Sequence, residues 1–452
     1  MLKTKKLTAV VLAAVLAAAA FTGCGSGGKS AGTGAEKTEA AKTEAAKAEE
    51  GKTEGGKTET AASGVGTRVE FWDDKFGGRD KADVDKIMNS ISELSGIKVE
   101  EIAYPDTAAY QTAMQQSIRD KKAPGLFTWW SGPQLETLVK NDLLEDLTDL
   151  WDEYVIPNGV SPDLKEALAI DGRIYAVPYS VLYNTIIYNV SLFEQYNIQV
   201  PETFDEFLTA CQTLKDNGVT PIALKNDSWA GFIWFQALVA SYEPQLYQDI
   251  CDGTKDYTDP DVIKVMDIWQ EMLDKGYFST PMKIQDVDKS IAQGSIAMML
   301  EPNFEVGTLS KEYGMVPGED VGVFVLPSMN GAKKVIFFEI SPLCVAKASG
   351  DKETAKEVLK SWFKVEHQTV LTEVANFVNS SEVKVENQCI QDTLEFTADA
   401  DNYQLILRYY ENTPEEIRNV ALDELMKFEL GDATGEEVLN TIQAKAAEVF
   451  GK

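Results

Sequence analysis

Two adjacent tryptophans stand in the stretch Phe127-Thr128-Trp129-Trp130-Ser131-Gly132-Pro133, between an apolar run and a helical pattern. Residues 124–127 read as a short buried strand, and apolar residues recur at helical spacing after Pro133. Ligands of open α/β sheets bind where a strand ends and a helix begins. The indole is large and its N–H needs a partner, so it suits a half-buried wall. We interpret the pair as a platform for the face of a sugar ring, with a core position for one of the two as the alternative.

Strand-like and helix-like stretches alternate on both sides of this pair, which is the pattern of an α/β fold. Strands are predicted at residues 68–72 and 98–102, joined by a helix that stops at Gly96. Other helices carry start signals in their first turn. These signals are a capping box at Thr203 and Glu206, a second at Thr413 and Glu416, and Asp259-Pro260 before a helix with Ile263, Met266 and Trp269 on one face.

The N-terminus has the pattern of a lipoprotein signal peptide. Three lysines within the first six residues precede an apolar stretch from Leu7 to Phe21, which is shorter than the roughly 18–20 residues that span a bilayer. It ends at Thr22-Gly23-Cys24, which resembles a bacterial lipobox. Residues 1–23 are therefore predicted to be a signal peptide and Cys24 to be lipidated, with an ordinary signal and a chance cysteine as the alternative.

A low-complexity segment follows the cysteine. From residue 24 to residue 66, large apolar residues are replaced by Gly, Ser, Ala, Thr, Lys and Glu in a five-residue repeat. Such a segment cannot bury enough apolar surface to offset its ordering entropy. We expect a flexible tether that holds a globular body away from a membrane.

Composition and motifs exclude several classes of function. The formal net charge is −30, and no stretch rich in Lys or Arg offers a phosphate-binding face, so we expect no nucleic acid partner. The single histidine, His367, has no neighbours suited to a triad or a zinc site, and glycine-rich nucleotide motifs are absent. We expect neither a metal nor a cofactor. The four cysteines after Cys24 are widely spaced, and we expect isolated apolar residues rather than disulfides.

Aromatic rings and short polar groups gather in predicted loops. Hydroxyl groups of a polyhydroxylated ligand donate to carboxylates and amides, while its C–H faces lie on aromatic rings. These groups are candidates for substrate binding. They include Trp72, Asp73 and Asp74 after the first strand, Tyr179, Asp227 and Trp229, Glu301, and Phe338 with Glu339.

Over the globular part, the chain resembles extracellular solute-binding proteins of ABC importers, in the maltose-binding-like, carbohydrate-binding family. The stretches that carry the resemblance follow one another in the family's order. They are Trp130–Glu136 with Asp142–Leu147, Asp171–Tyr179, Ile187–Asn189, Val200–Phe207, Thr220–Leu224 with Trp229, and Ala292–Met298. One departure stands at Glu301-Pro302-Asn303-Phe304, where the family usually has Gly and then Trp, so Phe304 would replace a stacking ring.

The resemblance implies an α/β, two-lobe periplasmic-binding-protein-like (type II) fold with three inter-lobe crossings. We expect the crossings near residues 181–184, 298–303 and 337–342. The N-terminal lobe would hold residues 67–182 and 302–337, and the C-terminal lobe residues 183–301 and 338–452. The family's ligand positions, carried over to this sequence, are Trp72, Asp73, Trp129 or Trp130, Tyr179, Asn184, Trp229, Phe304 and Glu339.

The same resemblance implies the function. A small-molecule carbohydrate would bind between the lobes and close them, and the closed protein would dock on the transmembrane subunits of an ABC permease. The protein would be a monomer without enzymatic activity, anchored by its lipid to the extracellular face of the cell membrane. The alternatives are a non-sugar polar solute, a secreted glycoside hydrolase, and an adhesin or signalling receptor with the same fold.

Overall fold

A computed structural model of the chain describes residues 64–74, 80–104, 107–226 and 230–452. Strands and helices alternate along these residues, as expected for an α/β chain. The strands are β1 (Arg68–Asp73), β2 (Lys98–Ala103), β3 (Leu126–Thr128), β4 (Ala169–Ile170), β5 (Arg173–Ile174), β6 (Ala176–Asn189), β7 (Thr220–Ile222), β8 (Ile296–Pro302), β9 (Val321–Phe324), β10 (Lys334–Val345) and β11 (Tyr403–Leu407). The helices are α1 (Lys81–Ser95), α2 (Thr107–Ser117), α3 (Pro133–Lys140), α4 (Thr148–Leu150), α5 (Pro162–Ala167), α6 (Val190–Gln195), α7 (Phe204–Asp216), α8 (Ala230–Tyr242), α9 (Pro244–Cys251), α10 (Pro260–Asp274), α11 (Ile284–Ala292), α12 (Glu305–Tyr313), α13 (Lys352–Trp362), α14 (Val365–Ala375), α15 (Gln388–Ala398), α16 (Tyr409–Asn412), α17 (Glu415–Leu430) and α18 (Gly435–Phe450).

Hydrogen-bonded strands follow one another in the order β2-β1-β3-β10-β6-β8-β7, with β11 beside β10 and β9 beside β6. β1 pairs in parallel with both β2 and β3, and Trp72 stands opposite Ile102 on one side and Phe127 on the other. Because the three strands are parallel, their carboxyl ends lie at one edge of the sheet. The tryptophan pair that follows β3 is therefore placed beside the end of β1.

Two long strands belong to both lobes. The last residues of β10 pair with β3, while the end of β6 pairs with β8 and β9. Residues 176–183 of β6 also pair with residues 338–344 of β10. Helices α13 and α14 pack on α1 in the N-terminal lobe, and α15 packs on β9 in the C-terminal lobe. The described chain therefore passes between the lobes at β6, at β10 and at residues 376–387, which agrees with the expected number of crossings.

The expected lobe boundaries need a correction. Residues 302–337 were assigned above to the N-terminal lobe, but α12 packs on α11 and β9 pairs with β6 in the C-terminal lobe. Residues 298–303 do not cross, because β8 pairs along its length inside that lobe. Residues 346–375, assigned above to the C-terminal lobe, carry α13 and α14 of the N-terminal lobe. Pairing between strands more than a hundred residues apart decides these memberships, and local sequence patterns do not encode it.

Local predictions have mixed outcomes. The capping box of Thr203 and Glu206 is present at α7. The second predicted box is absent, because Pro414 is the N-cap of α17 and no side chain caps it. In α10, Trp269 is fully buried as predicted, whereas Ile263 is 39% exposed and does not belong to the buried face. None of the described helices combines the length and apolarity needed to cross a bilayer.

Candidate functional site

Two carboxylates stand at the carboxyl end of β1. Asp73 is fully buried, and its Oδ2 accepts a hydrogen bond of 3.1 Å from the Tyr179 hydroxyl on β6. Asp74 follows it, and its Oδ1 accepts a hydrogen bond of 2.8 Å from Thr128 Oγ1 at the end of β3. A carboxylate accepts hydrogen bonds through both of its oxygens, which is the chemistry that a hydroxyl group needs in a partner. The structure therefore brings Asp73, Asp74 and Tyr179 together at the predicted sheet edge.

A chain of aromatic rings continues from these carboxylates. The Trp72 ring lies 5.5 Å from that of Tyr104, which lies 5.3 Å from that of Tyr110. Tyr110 in turn lies 6.2 Å from Trp129 and 6.1 Å from Trp130. Sequence analysis missed both tyrosines, although Tyr104 directly follows β2 and thus stands at the same strand edge as Trp72. The position of a residue after a parallel strand was the signal that could have found it.

The tryptophan pair is more buried than we predicted. Trp129 is 8% exposed and Trp130 is 3% exposed, and their ring centroids are 5.0 Å apart. The Trp129 Nε1–H donates to the backbone oxygen of Gln134 at 3.4 Å, which fixes this indole against the start of α3. The Trp72 ring at this edge is half-buried, and its Nε1–H donates to Glu70. Because tertiary contacts cover the pair, Trp72 is the ring most accessible to a ligand among these three.

Glu339 takes part in a buried group of charges. Its carboxylate contacts the guanidinium of Arg408, which also donates to Glu411 at 2.6 and 2.8 Å. Burial opposes the charged guanidinium, but the two facing carboxylates outweigh burial and raise the pKa of Arg408. Glu339, predicted above to bind the ligand, is thus an ion-paired carboxylate, and its neighbour Phe338 is buried. Sequence analysis missed Arg408 and Glu411, which carry no local pattern.

Glu301 lies in a second buried group of charges, inside the C-terminal lobe. Lys225 Nζ is 3.0 Å from its carboxylate. Asp288 and Glu305 lie beside this pair and are 2% and 4% exposed. Burial first, then the charge of Glu301, raises the pKa of Asp288 to about 7. Burial first, then the charge of Asp288, raises the pKa of Glu305 to about 7.

Asn184 and Phe304 belong to β6 and to the start of α12. Asn184 is 4% exposed and lines a cavity of about 20 Å³ inside the C-terminal lobe, together with Gln236 and Ser241. Neither polar atom of the Asn184 side chain has a hydrogen-bond partner among the described residues. Phe304 precedes α12, is half-buried and packs against the hydrophobic core. Asp227 and Trp229 lie outside the described residues.

The remaining candidate reactive groups are core residues. His367 is fully buried, its Nδ1 is 2.6 Å from Ser90 Oγ, and burial lowers its pKa to about 3. The cysteines of the described part are buried and free, and burial raises the pKa of each thiol. Within the described ranges, no three or more His, Cys, Asp or Glu side chains are grouped so as to hold a metal ion. The arrangement at the ends of β1 to β3 therefore offers hydrogen-bond acceptors and two half-buried rings, those of Trp72 and Tyr104.

Known proteins share this sequence pattern and fold. The family model described as bacterial extracellular solute-binding protein matches residues 89–369. An uncharacterized ABC transporter extracellular-binding protein of Pyrococcus horikoshii is 26% identical over 223 residues, which are 48% of this chain and 50% of the relative. The diacetylchitobiose binding protein DasA of Streptomyces coelicolor is 25% identical over 258 residues, which are 55% of this chain and 59% of the relative.

The chain spans about half the length of the curated relatives it matches. The solved structure of a chitin oligosaccharide binding protein covers 84% of this chain and 98% of its own, with a TM-score of 0.72 at 20% identity. This likeness confirms the two-lobe α/β fold.

Proposed function

The chain belongs to the family of bacterial extracellular solute-binding proteins, and from this membership we propose that it is the substrate-binding component of an ABC importer. It captures a sugar or oligosaccharide between its two lobes and delivers it to the transmembrane subunits of the permease. The diacetylchitobiose binding protein among its relatives supports a carbohydrate as the ligand. The protein binds its solute without converting it.

The observation that carries the proposal is the edge formed by the ends of β1 and β3. It combines the Asp73 and Asp74 carboxylates with the half-buried ring of Trp72. Sugar hydroxyls donate to carboxylates, and the C–H face of a pyranose lies against an indole. We propose that Asp227 and Trp229, which the sequence names as candidates, also contact the ligand.

Closure of the lobes is the proposed mechanism. A ligand that contacts both lobes binds the closed arrangement better and shifts the population towards it. The crossings at β6, β10 and residues 376–387 are the places where the backbone can bend. In the arrangement described here the lobes already meet, because Lys311 of α12 forms an ion pair of 3.1 Å with Asp83 of α1. We propose that this arrangement is the closed one.

Anchoring is proposed from the sequence. Residues 1–23 would be removed as a signal peptide, Cys24 would carry the lipid, and residues 24–66 would hold a monomeric body away from the membrane. The protein would then stand on the extracellular face of the cell membrane, beside its permease. These segments lie outside the described residues, apart from residues 64–66.

Calorimetric titration of the body from residue 64 tests the binding function. The ligands are glucose, galactose, N,N′-diacetylchitobiose and longer oligosaccharides. We expect one of them to bind, and we expect Trp72→Ala to weaken its affinity by roughly 5- to 150-fold, the equivalent of about 1–3 kcal/mol. Tyr313→Ala is the matched control, because Tyr313 is a partly exposed ring on α12 away from β1.

Two results would contradict the proposal. The first is the absence of binding to every carbohydrate while a non-sugar solute binds. The second is the release of shorter products from an oligosaccharide, which would indicate a hydrolase. If Trp72→Ala binds the sugar with the affinity of the wild type, the proposed sugar binding stands and Trp72 is not a ligand contact.

A further inference from the structure

The sheet divides at one residue of the crossing strand β6. Tyr183 still pairs with β10, where it stands opposite Phe338, whereas Asn184 pairs with β8 and stands opposite Pro302. Residues 334–338 of β10 pair with β11 on the other branch. Since β6 and β10 both connect the lobes, this fork lies where the two crossing strands enter the C-terminal lobe.

A cavity of about 20 Å³ lies in the fork. Asn184 of β6, Leu300 of β8 and Phe337 of β10 line it, and α8 contributes Gln236 and Ser241. A cavity must offer roughly 10–15 Å³ to hold one water molecule. The cavity therefore has room for a water molecule, and it is much too small for a sugar ring.

Two buried amides at this cavity have polar atoms without partners. Asn184 is 4% exposed, and neither its Oδ1 nor its Nδ2 has a partner among the described residues. Gln236 is fully buried, and its Nε2 likewise donates to no described group. Its Oε1 accepts a hydrogen bond of 2.8 Å from the Tyr409 N–H, which fixes the orientation of this amide. Buried polar atoms in folded proteins nearly always bond to protein or to ordered water, because an unsatisfied one destabilises the fold.

The polar groups around the cavity match a water molecule. Gln236 Nε2 is a donor, and the Asn184 amide has a donor and an acceptor. Ser241 Oγ donates to the Pro327 oxygen at 2.6 Å, so its own oxygen can accept a hydrogen bond. Internal waters typically make about three hydrogen bonds, and three side chains offer them here. The residues that line the cavity in the described part carry no charge, which disfavours an ion because a buried charge needs a paired one.

We propose that this cavity, the fork cavity, is the binding site of one internal water molecule, which joins Asn184 of β6 to Gln236 and Ser241 of α8. Because Gln236 also holds the Tyr409 N–H, the water connects the crossing strand, through α8, to the start of α16. The water thereby holds the end of this crossing in the C-terminal lobe. The proposal goes beyond sugar binding and does not depend on it.

Deuterium relaxation dispersion of water tests the site, because it counts the long-lived internal waters of a protein. The samples are residues 24–452 without the lipid, as wild type and variants. Asn184→Val replaces the amide by a side chain of similar size that suits a strand. We expect this variant to lose the contribution of one water molecule and to have a lower urea midpoint, since Gln236 Nε2 then lacks a partner. Gln404→Val is the matched control, because Gln404 is an exposed amide on β11 that does not line the cavity, and it should keep every long-lived water.

A second variant fills the cavity without removing a polar group. Ala237 of α8 lines the cavity, so the added methyl groups of Ala237→Val take the place of the water, and we expect the contribution of one water to be lost here too. If Asn184→Val and Ala237→Val both keep every long-lived water, the proposal is wrong. A urea midpoint that rises in either variant would indicate a dry cavity that has been filled, and would also overturn it.

Crystals of the wild type distinguish water from an ion. We expect a density peak within hydrogen-bond distance of Asn184, Gln236 and Ser241, and no anomalous signal there after a bromide soak. An anomalous peak in the cavity would identify an anion and overturn the assignment to water. Calorimetry with sugars decides the proposed function separately, so the failure of one proposal leaves the other standing.

Discussion

Replacing Gly132 by alanine tests whether the ligand-bound protein has the arrangement of lobes described here. Gly132 precedes α3 with φ 68° and ψ −145°, a conformation that L-residues rarely adopt. A Cβ atom at this position would lie 1.9 Å from the backbone oxygen of Glu411 in α16, which belongs to the opposite lobe. The substitution therefore adds local strain in every state and a steric clash only when α3 and α16 meet.

The two effects have comparable sizes but act on different equilibria. A non-glycine residue in this region of φ and ψ costs on the order of 1–3 kcal/mol of folding free energy. Real Cβ atoms essentially never come within 3.0 Å of another heavy atom, so the 1.9 Å contact must open. Overpacking of this kind costs about 1–3 kcal/mol. If closure needs the contact, the affinity for the sugar should fall by roughly 5- to 150-fold.

Calorimetry with the ligand and urea unfolding without it measure the two effects separately. Gly96→Ala is the matched control, since Gly96 has φ 70° and a Cβ there would meet no atom within 4 Å. We expect both variants to lose unfolding free energy, Gly132→Ala more, because its ψ of −145° with positive φ is close to the glycine-only region whereas Gly96 has ψ 12°, and we expect a loss of affinity in Gly132→Ala alone. Wild-type affinity in Gly132→Ala would refute the reasoning, because α3 and α16 would then not meet in the bound state.

Three further predictions concern pH, the tether and the anchor. The pKa values of Asp288 and Glu305 are raised to about 7, so these groups keep protons that the unfolded chain releases. The free energy of unfolding should therefore fall as the pH rises from about 4 to about 7. Urea unfolding at about pH 5 and pH 8 should show a smaller fall in Asp288→Asn than in the wild type. His367, whose pKa is lowered to about 3, has the opposite effect on stability and contributes equally in both proteins. The same pH dependence of stability in the two proteins would contradict the assignment. Deleting residues 26–64 should leave the melting temperature and the ligand affinity unchanged, and a fall of more than a few degrees by calorimetry would show that the segment packs on the body. Cys24→Ser should release the protein into the medium or leave its signal uncleaved, and normal processing with unchanged membrane retention in cell fractionation would contradict lipidation.

The candidate site shows where sequence reasoning was sufficient. Trp72, Asp73 and Asp74 were predicted because an aromatic ring and two carboxylates close the first strand, and the parallel sheet places this strand end beside the end of β3. Strand ends are encoded locally, since a run of apolar residues ends in polar ones. Tyr179 was named among the aromatic candidates and again by the family resemblance, and its hydrogen bond to Asp73 places it at the same edge.

The same reasoning could not predict which side chains are covered or paired. The tryptophan pair was predicted to be a half-buried platform, but Tyr110 of α2 packs against both rings. Glu339 was predicted to accept hydroxyl protons, and nothing in the sequence indicated its partner Arg408, the N-cap of α16 some seventy residues away. The chain has 72 acidic residues, and their number does not indicate which of them forms an ion pair with which basic residue.

By itself, the sequence determined the alternation of strands and helices, the capping of α7 by Thr203 and the burial of Trp269 in α10. These features depend on residues within one or two helical turns of each other, so their physical cause is present in the local pattern. Only the tertiary structure decided that β9 and α12 belong to the C-terminal lobe and that Asn184 and Gln236 line one cavity. Such contacts join residues far apart in the chain, and their energy depends on burial and on partners that exist only when the chain has folded.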